Sequence, residues 1–455
     1  MNPGLVVKLR PAGPWRIGPD SGARNRVDPI YHSDSLFSAV SSAMAQLGWL
    51  DDWLSATARA AAPAASFSSC FPFLDEIGFV VPPRSIWPPA SPALLAARVR
   101  WKSARFVPLG IVQAILEGRR LEEHRWSVDG PSQCLVPAGR PGPFRIDIRW
   151  NAAVDRLTGA SERHSTACLE FRPGAGLWTV VSFLDDAARE RWLEPVKAAF
   201  RLLSDTGFGG GRSRGWGRSE PPEFIEGQLP DMILPPPAEV EPQLEVAAEP
   251  VEEPPAGEAP AEASEGVEPL VAEAEEAPAL VEEPPVAEAA EIVAAEGAVE
   301  APEGIAPLVV DAEEAPALAE ETPAAEASGD IAPLVVETEP ALAEEAAPPQ
   351  PIAPVPPAPE AAQLHWLLSL FSPAPADAVD WTRGNYSVVT RGGRVESPAG
   401  SGELKKLVQM IAEGSVVCGG AAPIGAAPDV APDGFAHPVF RAGFAVAIPL
   451  PGVRS

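Results

Sequence analysis

The chain has 455 residues, with 63 acidic against 34 basic side chains and a net charge of −29. It holds no run of about 18 apolar residues and no long apolar h-region near its start, which argues against a membrane span and against export. Four cysteines (Cys70, Cys134, Cys168, Cys418), no CxxC and no HxxxH pair exclude a disulfide scaffold and a zinc site; a soluble, cytoplasmic protein without metal or cofactor is expected.

The charge is uneven. Residues 231–362 hold 33 acidic residues and 25 of the 56 prolines, with no Lys, Arg, His, Trp, Phe, Tyr or Cys. The remaining 323 residues carry 34 cations against 30 anions, a net +4. The acidic stretch therefore describes a tether, and the folding material is mildly basic. Such a composition buries too little aromatic or branched surface to offset chain entropy, so a long disordered acidic insertion is expected there. It separates residues 1–230 from residues 363–455.

In chain order, Leu5–Leu9 reads as a first strand. Ser33 or Asp34 suits a helix N-cap. Leu36, Val40, Met44 and Leu47 then share one helical face, ended by Gly48. Ile77–Val81 is a strand stopped by Pro82-Pro83. Phe144–Trp150 alternates, as a half-buried strand does. Leu177–Phe183 is another strand. A second helix covers roughly 185–204, with Leu193, Val196, Phe200 and Leu203 on one face and Pro195 in the first turn of its regular part. Strand, helix, strands, helix, strand is the split βαβ, ferredoxin-like order. After the insertion, strands are expected near Tyr386–Val389, Val408–Ile411 and Phe444–Leu450, with a turn at Arg391–Arg394. This piece completes a second α+β domain only by borrowing strands from the first part.

The richest motif is Thr206–Arg218, TGFGGGRSRGWGR. Gly207, Gly209, Gly210, Gly211, Gly215 and Gly217 allow close backbone approach and anion-binding nests. Arg212, Arg214 and Arg218 can fork onto phosphates, and Trp216 offers a face for a base. The loop lacks the Lys of a Walker A motif and fails the GxGxxG spacing. It also leaves a helix, whereas nucleotide loops enter one. Gly211-Arg-Ser213-Arg-Gly215 matches GxSxG by letter, but a nucleophile elbow runs from strand to helix. The bland reading is a Gly-rich surface turn.

His32, Ser33 and Asp34 stand at a helix N-terminus, where free N–H groups and the dipole favour a phosphate. An ordinary cap with His32 on the surface explains them equally. Arg98–Phe106 alternates basic and apolar residues, as a strand along a nucleic-acid backbone would, or as a charged edge strand would. Asp51-Asp52 and Asp185-Asp186 fit helix edges, and the five histidines show no shared metal spacing.

HSDSLFSAV near the N-terminus, NAAVDRLTGAS (Asn151–Ser161), the GFGGGRSRGWG loop and HPVFRAGFAVAIPL (His437–Leu450) together resemble one family. It is the RAMP subunit of type III-A CRISPR (Csm) effector complexes that caps the 5′-handle end of the crRNA. Tyr386, Arg391-Gly392-Gly393 and Glu413–Val416 fit its C-terminal part. The resemblance implies two ferredoxin-like, RRM-related domains with antiparallel sheets. It implies binding of the crRNA 5′ handle, and contacts with the large polymerase-domain subunit and the backbone RAMP subunits. Target RNA would be met only indirectly. It further implies a thumb-like hairpin, for which residues 84–130 are the candidate, and no nuclease activity of its own. Arg156 and Arg391 join the loop as candidate RNA contacts. The alternative is a metal-independent crRNA-processing endoribonuclease of the same superfamily, with His32 as general acid–base. The acidic insertion departs from the family pattern, and a scaffold or spacer role is open for it.

Overall fold

A computed structural model of the chain describes residues 2–19, 22–89, 100–236, 362–397 and 400–451. Apart from 231–236 and 362, the expected acidic tether lies outside the described residues. Residues 231–236 belong to the fold: Ile233 is buried, and the Pro235 carbonyl accepts from the Gln113 amide.

The N-terminal elements run β1 (Asn2–Leu9), α1 (Ser33–Gln46), α2 (Leu50–Ala56), β2 (Ala65–Phe67), β3 (Phe71–Leu74), β4 (Ile77–Val80) and β5 (Val107–Pro108). They continue with α3 (Leu109–Leu116), β6 (Trp126–Val128), β7 (Leu135–Pro137), β8 (Phe144–Val154), β9 (Ser161–Phe171), β10 (Ala175–Phe183), α4 (Asp186–Thr206) and β11 (Glu223–Leu229). The main sheet is antiparallel, in the order β11-β1-β10-β3-β4-β5, with β2 on the other end of the β10 edge. Its first four positions follow the ferredoxin-like order expected from the strand–helix alternation. Val6 lies opposite Val180 on one side and Ile225 on the other, which fixes the register. β10 is apolar on both faces because it is central and covered on both. Helices α1 and α4 pack together over Phe37, Trp53, Phe67, Trp192 and Phe200.

Helix α4 starts at Asp186 and passes unbroken through Pro195, earlier than the regular stretch expected from that proline. Asp185 caps it, accepting from the Ala188 N–H at 2.7 Å, a contact of about 1 kcal/mol. The buried stripe Trp192, Val196, Phe200 and Leu203 spans the proline, so packing overrides the local penalty.

After the insertion come β12 (Gln363–Leu367), β13 (Val379–Asn385), β14 (Val388–Arg391), β15 (Arg394–Ser397), β16 (Gly400–Leu404) and β17 (Val408–Ile411). They are followed by β18 (Val416–Gly419), β19 (Gly425–Ala426), β20 (Gly443–Phe444) and β21 (Ala447–Pro449). A four-stranded antiparallel sheet has the order β13-β18-β12-β21, and β14 pairs with β17. The α+β, antiparallel class is as expected, with one refinement: among the described residues this C-terminal part holds no helix. It leans on the N-terminal part instead. The Ser69 N–H donates to the Leu368 carbonyl, the Arg84 N–H to that of Gly414, and the Trp366 indole to that of Val81. Trp366, Leu368, Phe444 and Ile448 share one hydrophobic core with Leu36, Phe37 and Phe67. Both parts therefore form a single compact unit.

Two other expectations need correction. Phe144–Trp150 is a strand, but only Phe144 is buried; Ile146, Ile148 and Trp150 are exposed on a two-stranded hairpin, β8–β9, that packs at its base only. Arg100–Ser103 is a helical turn rather than an extended basic strand, because Trp101 is buried and stacks on Trp87 at 5.9 Å. Within 84–130 the described residues form short elements. The long hairpin lies downstream, at 144–171.

Candidate nucleic-acid interface

The Gly-rich loop leaves α4 at Gly207, whose N–H donates to the Leu203 carbonyl. Phe208 is buried and stacks on Trp15 at 5.1 Å, anchoring the loop to the core. Gly209 and Gly210 lie along the backbone of Arg16, whose carbonyl accepts from the Gly210 N–H at 2.8 Å. Gly211 and Gly215 bracket a single 3-10 turn, Arg212–Arg214. Gly217 closes the loop. Its N–H donates to Pro14 and its carbonyl accepts from Phe208, at 2.9 Å each. At φ +79°, a Cβ on Gly217 would sit 2.0 Å from the Phe208 oxygen, so only glycine fits.

This frame holds the chain rigidly while its tip faces solvent. Arg212, Ser213, Arg214 and Arg218 are exposed, and Trp216 lies half-buried over Gly211. Arg212 reaches Glu396 at 3.1 Å, an exposed pair worth little in stability. The tip thus offers guanidinium groups, an indole edge and a hydroxyl without a competing buried partner.

The start of α1 is the opposite case. The cap residue is His32, and Ser33 and Asp34 are inside the helix. All three are buried. His32 Nδ1–H donates to Glu413 Oε1 at 2.7 Å and Nε2–H to Asp28 Oδ2 at 3.0 Å. Burial alone would lower the imidazole pKa, but the two carboxylates outweigh it and raise it to about 10. Glu413 and Asp28 are pulled below the carboxylate range by His32, against the effect of burial; Arg105, 3.1 Å from Asp28, adds to the second. Ser69 donates to the same Glu413 oxygen, and its own oxygen accepts from the Ser33 N–H. Ser33 Oγ accepts from the Leu370 N–H. Asp34 is held ionised, despite burial, by Arg391 and Arg441. Arg391 forks onto it through Nε at 3.1 Å and Nη2 at 2.9 Å.

The helix N-terminus expected to take a phosphate is therefore filled by this chain's own side chains. The bland alternative, an ordinary cap with His32 on the surface, does not hold as written either: His32 is buried, and it, not Ser33 or Asp34, is the cap. Arg391 is buried in the same network. Arg156 is exposed at the β8–β9 turn, where Asp155 accepts from Leu157 and Thr158. That tip is eight residues beyond Leu169, which pairs with Trp15 beside the loop, so it stands roughly 27 Å out. The structure thus joins the loop residues and joins His32–Asp34 with Arg391, but leaves Arg156 apart from both. The two groups adjoin: Tyr31 meets Phe208 edge-on at 6.1 Å.

The sequence reading missed several residues. Arg24 and Arg26 are exposed beside the loop, on a segment whose carbonyls clasp the Arg16 guanidinium. A second Gly/Arg cluster, Gly22-Ala-Arg-Asn-Arg26, was the signal available. Glu413 and Arg441 lie in stretches that carried the resemblance, but nothing local marked them as partners of His32 and Asp34, which lie 381 and 407 residues away.

Residues 360–450 match the family model described as the CRISPR Csm4 C-terminal domain. This bears out the resemblance to the type III-A Csm RAMP subunit. Two solved structures are similar over nearly the whole chain. A chain of a Csm1–Csm4 cassette in complex with cA4 is 13% identical, covers 99% of this chain and 98% of its own, and has a TM-score of 0.44. A chain of a Csm3–Csm4 subcomplex of the type III-A CRISPR-Cas interference complex is 11% identical, covers 98% and 99%, and has a TM-score of 0.48. No curated protein matches. No described helix is long and apolar enough to cross a membrane.

Proposed function

We propose, with the Csm4 C-terminal match over residues 360–450 as premise, that this chain is a non-catalytic crRNA-binding subunit of a type III-A interference complex. It anchors the crRNA 5′ handle and docks the large polymerase-domain subunit and the backbone RAMP subunits in cytoplasmic antiviral defence. The observation that carries the reading is the loop Gly207–Gly217. Its backbone is pinned on Pro14–Arg16, and Arg212 and Arg214 stand free of the core. Guanidinium groups carried on a turn whose backbone is already fixed can fork onto phosphates without that backbone first having to be ordered. The non-catalytic part rests on His32, which is buried and cationic between two carboxylates and so poorly placed to take a proton from a 2′-hydroxyl.

The test is the affinity of the purified protein for a handle RNA, against the Arg212→Ala plus Arg214→Ala variant. A tenfold or greater loss is expected; equal affinity sinks the loop assignment.

A further inference from the structure

Trp15 and Arg16 lie between the Gly-rich loop and the base of the β8–β9 hairpin. Trp15 exchanges backbone hydrogen bonds with Leu169 of β9, at 3.0 and 2.7 Å. Arg16 turns its carbonyl the other way, to the Gly210 N–H. Its side chain then reaches a third piece of chain. The stem runs along Gly210, where a Cβ would stand 3.4 to 3.6 Å from Arg16 Cγ, Cδ and Nε. The guanidinium ends among main-chain carbonyls. Nη1 donates to Arg24 at 2.9 Å and to Ala167 of β9 at 3.1 Å, with Arg26 at 3.5 Å, and Nη2 donates to Ala23 at 3.2 Å. One side chain thus ties together the loop, residues 23–26 and the hairpin. Two of these pieces carry exposed arginines, Arg212 and Arg214 on the loop and Arg24 and Arg26 on the segment.

A planar fork with five donors can answer four carbonyls spread over two segments, whereas an ammonium is a point donor. Carbonyl acceptors also fix main chain, where a carboxylate partner would fix only another side chain. The loop needs such a brace from outside, because glycine backbone is the costliest to order. We infer that Arg16 is a positioning residue for RNA binding, which locks the Gly207–Gly217 loop and the Ala23–Arg26 segment into one phosphate-binding surface without itself touching a phosphate. The inference rests on the reading of the loop as an RNA clamp and adds what holds the clamp in shape.

The test measures handle RNA affinity, its salt slope and the melting temperature of the full chain. Arg16→Lys keeps the stem and the charge and loses the fork, so it stays folded even where Arg16→Met does not. It should weaken handle RNA by about tenfold, the cost of ordering a loop no longer held. Its salt slope should match wild type, because the arginines on the phosphates are all present. In the Arg212→Ala plus Arg214→Ala background the same change should cost less than in wild type, since two of the arginines it positions are gone. A full, additive loss there places its action elsewhere and overturns the inference. Wild-type affinity in Arg16→Lys, with or without a lower melting temperature, reduces Arg16 to a structural role and overturns it too. So does a slope shallower by about 0.7 in Arg16→Met, which makes Arg16 itself a phosphate contact. If Arg212→Ala plus Arg214→Ala binds like wild type, the clamp reading fails and takes this inference with it. If that variant loses affinity and Arg16→Lys does not, this inference fails alone.

Discussion

The entrance of α1 and the exit of α4 carry similar chemistry and come to different ends. Each sets polar or charged side chains beside backbone groups that favour anions. At the entrance, His32, Ser33 and Asp34 are buried and saturated by Asp28, Ser69, Arg391, Glu413 and Arg441. At the exit, the glycines take up the packing and the arginines are left in water. A motif that favours an anion is open to a ligand only if the rest of the chain does not fill it first. In this protein the C-terminal part fills the first with buried partners and, among the described residues, touches the second only through the exposed Arg212–Glu396 pair, so the first is a joint between the two parts of the fold and the second a surface for recognition.

The comparison breaks if the entrance tolerates change. Asp34→Ala strands two buried guanidinium groups, and removing one partner of a buried ion pair costs about 3–5 kcal/mol. Urea denaturation should show that loss. Gly217→Ala comes next, at about 1–3 kcal/mol from backbone strain, with more from the clash on Phe208. Its melting temperature should fall by several degrees, whereas Ser213→Ala, at the tip of the same loop, should leave it unmoved.

The pH dependence sharpens the contrast. His32 is raised to about 10 in the fold, against about 6.5 in an unfolded chain. Its stabilisation is full below pH 6.5 and is lost as pH rises through about 10. Between those values the folded state holds the extra proton, so stability falls with pH by at most about 1.4 kcal/mol per unit. Asp28 and Glu413 act in the opposite sense, losing their contribution as pH falls below the ordinary carboxylate range. His32→Gln should flatten the alkaline slope in denaturation series at pH 6, 7, 8 and 9. A parallel slope in that variant would remove the ion triad from the account. The smallest stability effect is expected at the exit, where Arg212→Ala plus Arg214→Ala should change unfolding free energy by less than about 0.5 kcal/mol.

How much of this was legible in the sequence follows from range. The βαβ order, helix α4 and the Gly-rich loop rest on local periodicity, and these appear where expected. The strand at Val408–Ile411 does too. Alternation at Phe144–Trp150 gave a strand but not its exposure, because a period of two marks two unlike faces without saying that either is covered. The basic run Arg98–Phe106, whose residues 98–99 lie outside the described residues, misled because Trp101 turns inward, a tertiary choice no local pattern encodes. The fate of His32–Asp34 was hidden for the same reason, as Glu413, Arg391 and Arg441 reach it from across the acidic insertion.

The most direct test of the exposed-clamp account is the salt dependence of handle RNA binding, measured for wild type and the Arg212→Ala plus Arg214→Ala variant at matched pH. Each lost phosphate contact on single-stranded RNA should reduce the slope of log affinity against log salt by about 0.7, so the double variant should be shallower by about 1.4. Superimposable slopes and affinities would contradict the claim that this loop holds the RNA.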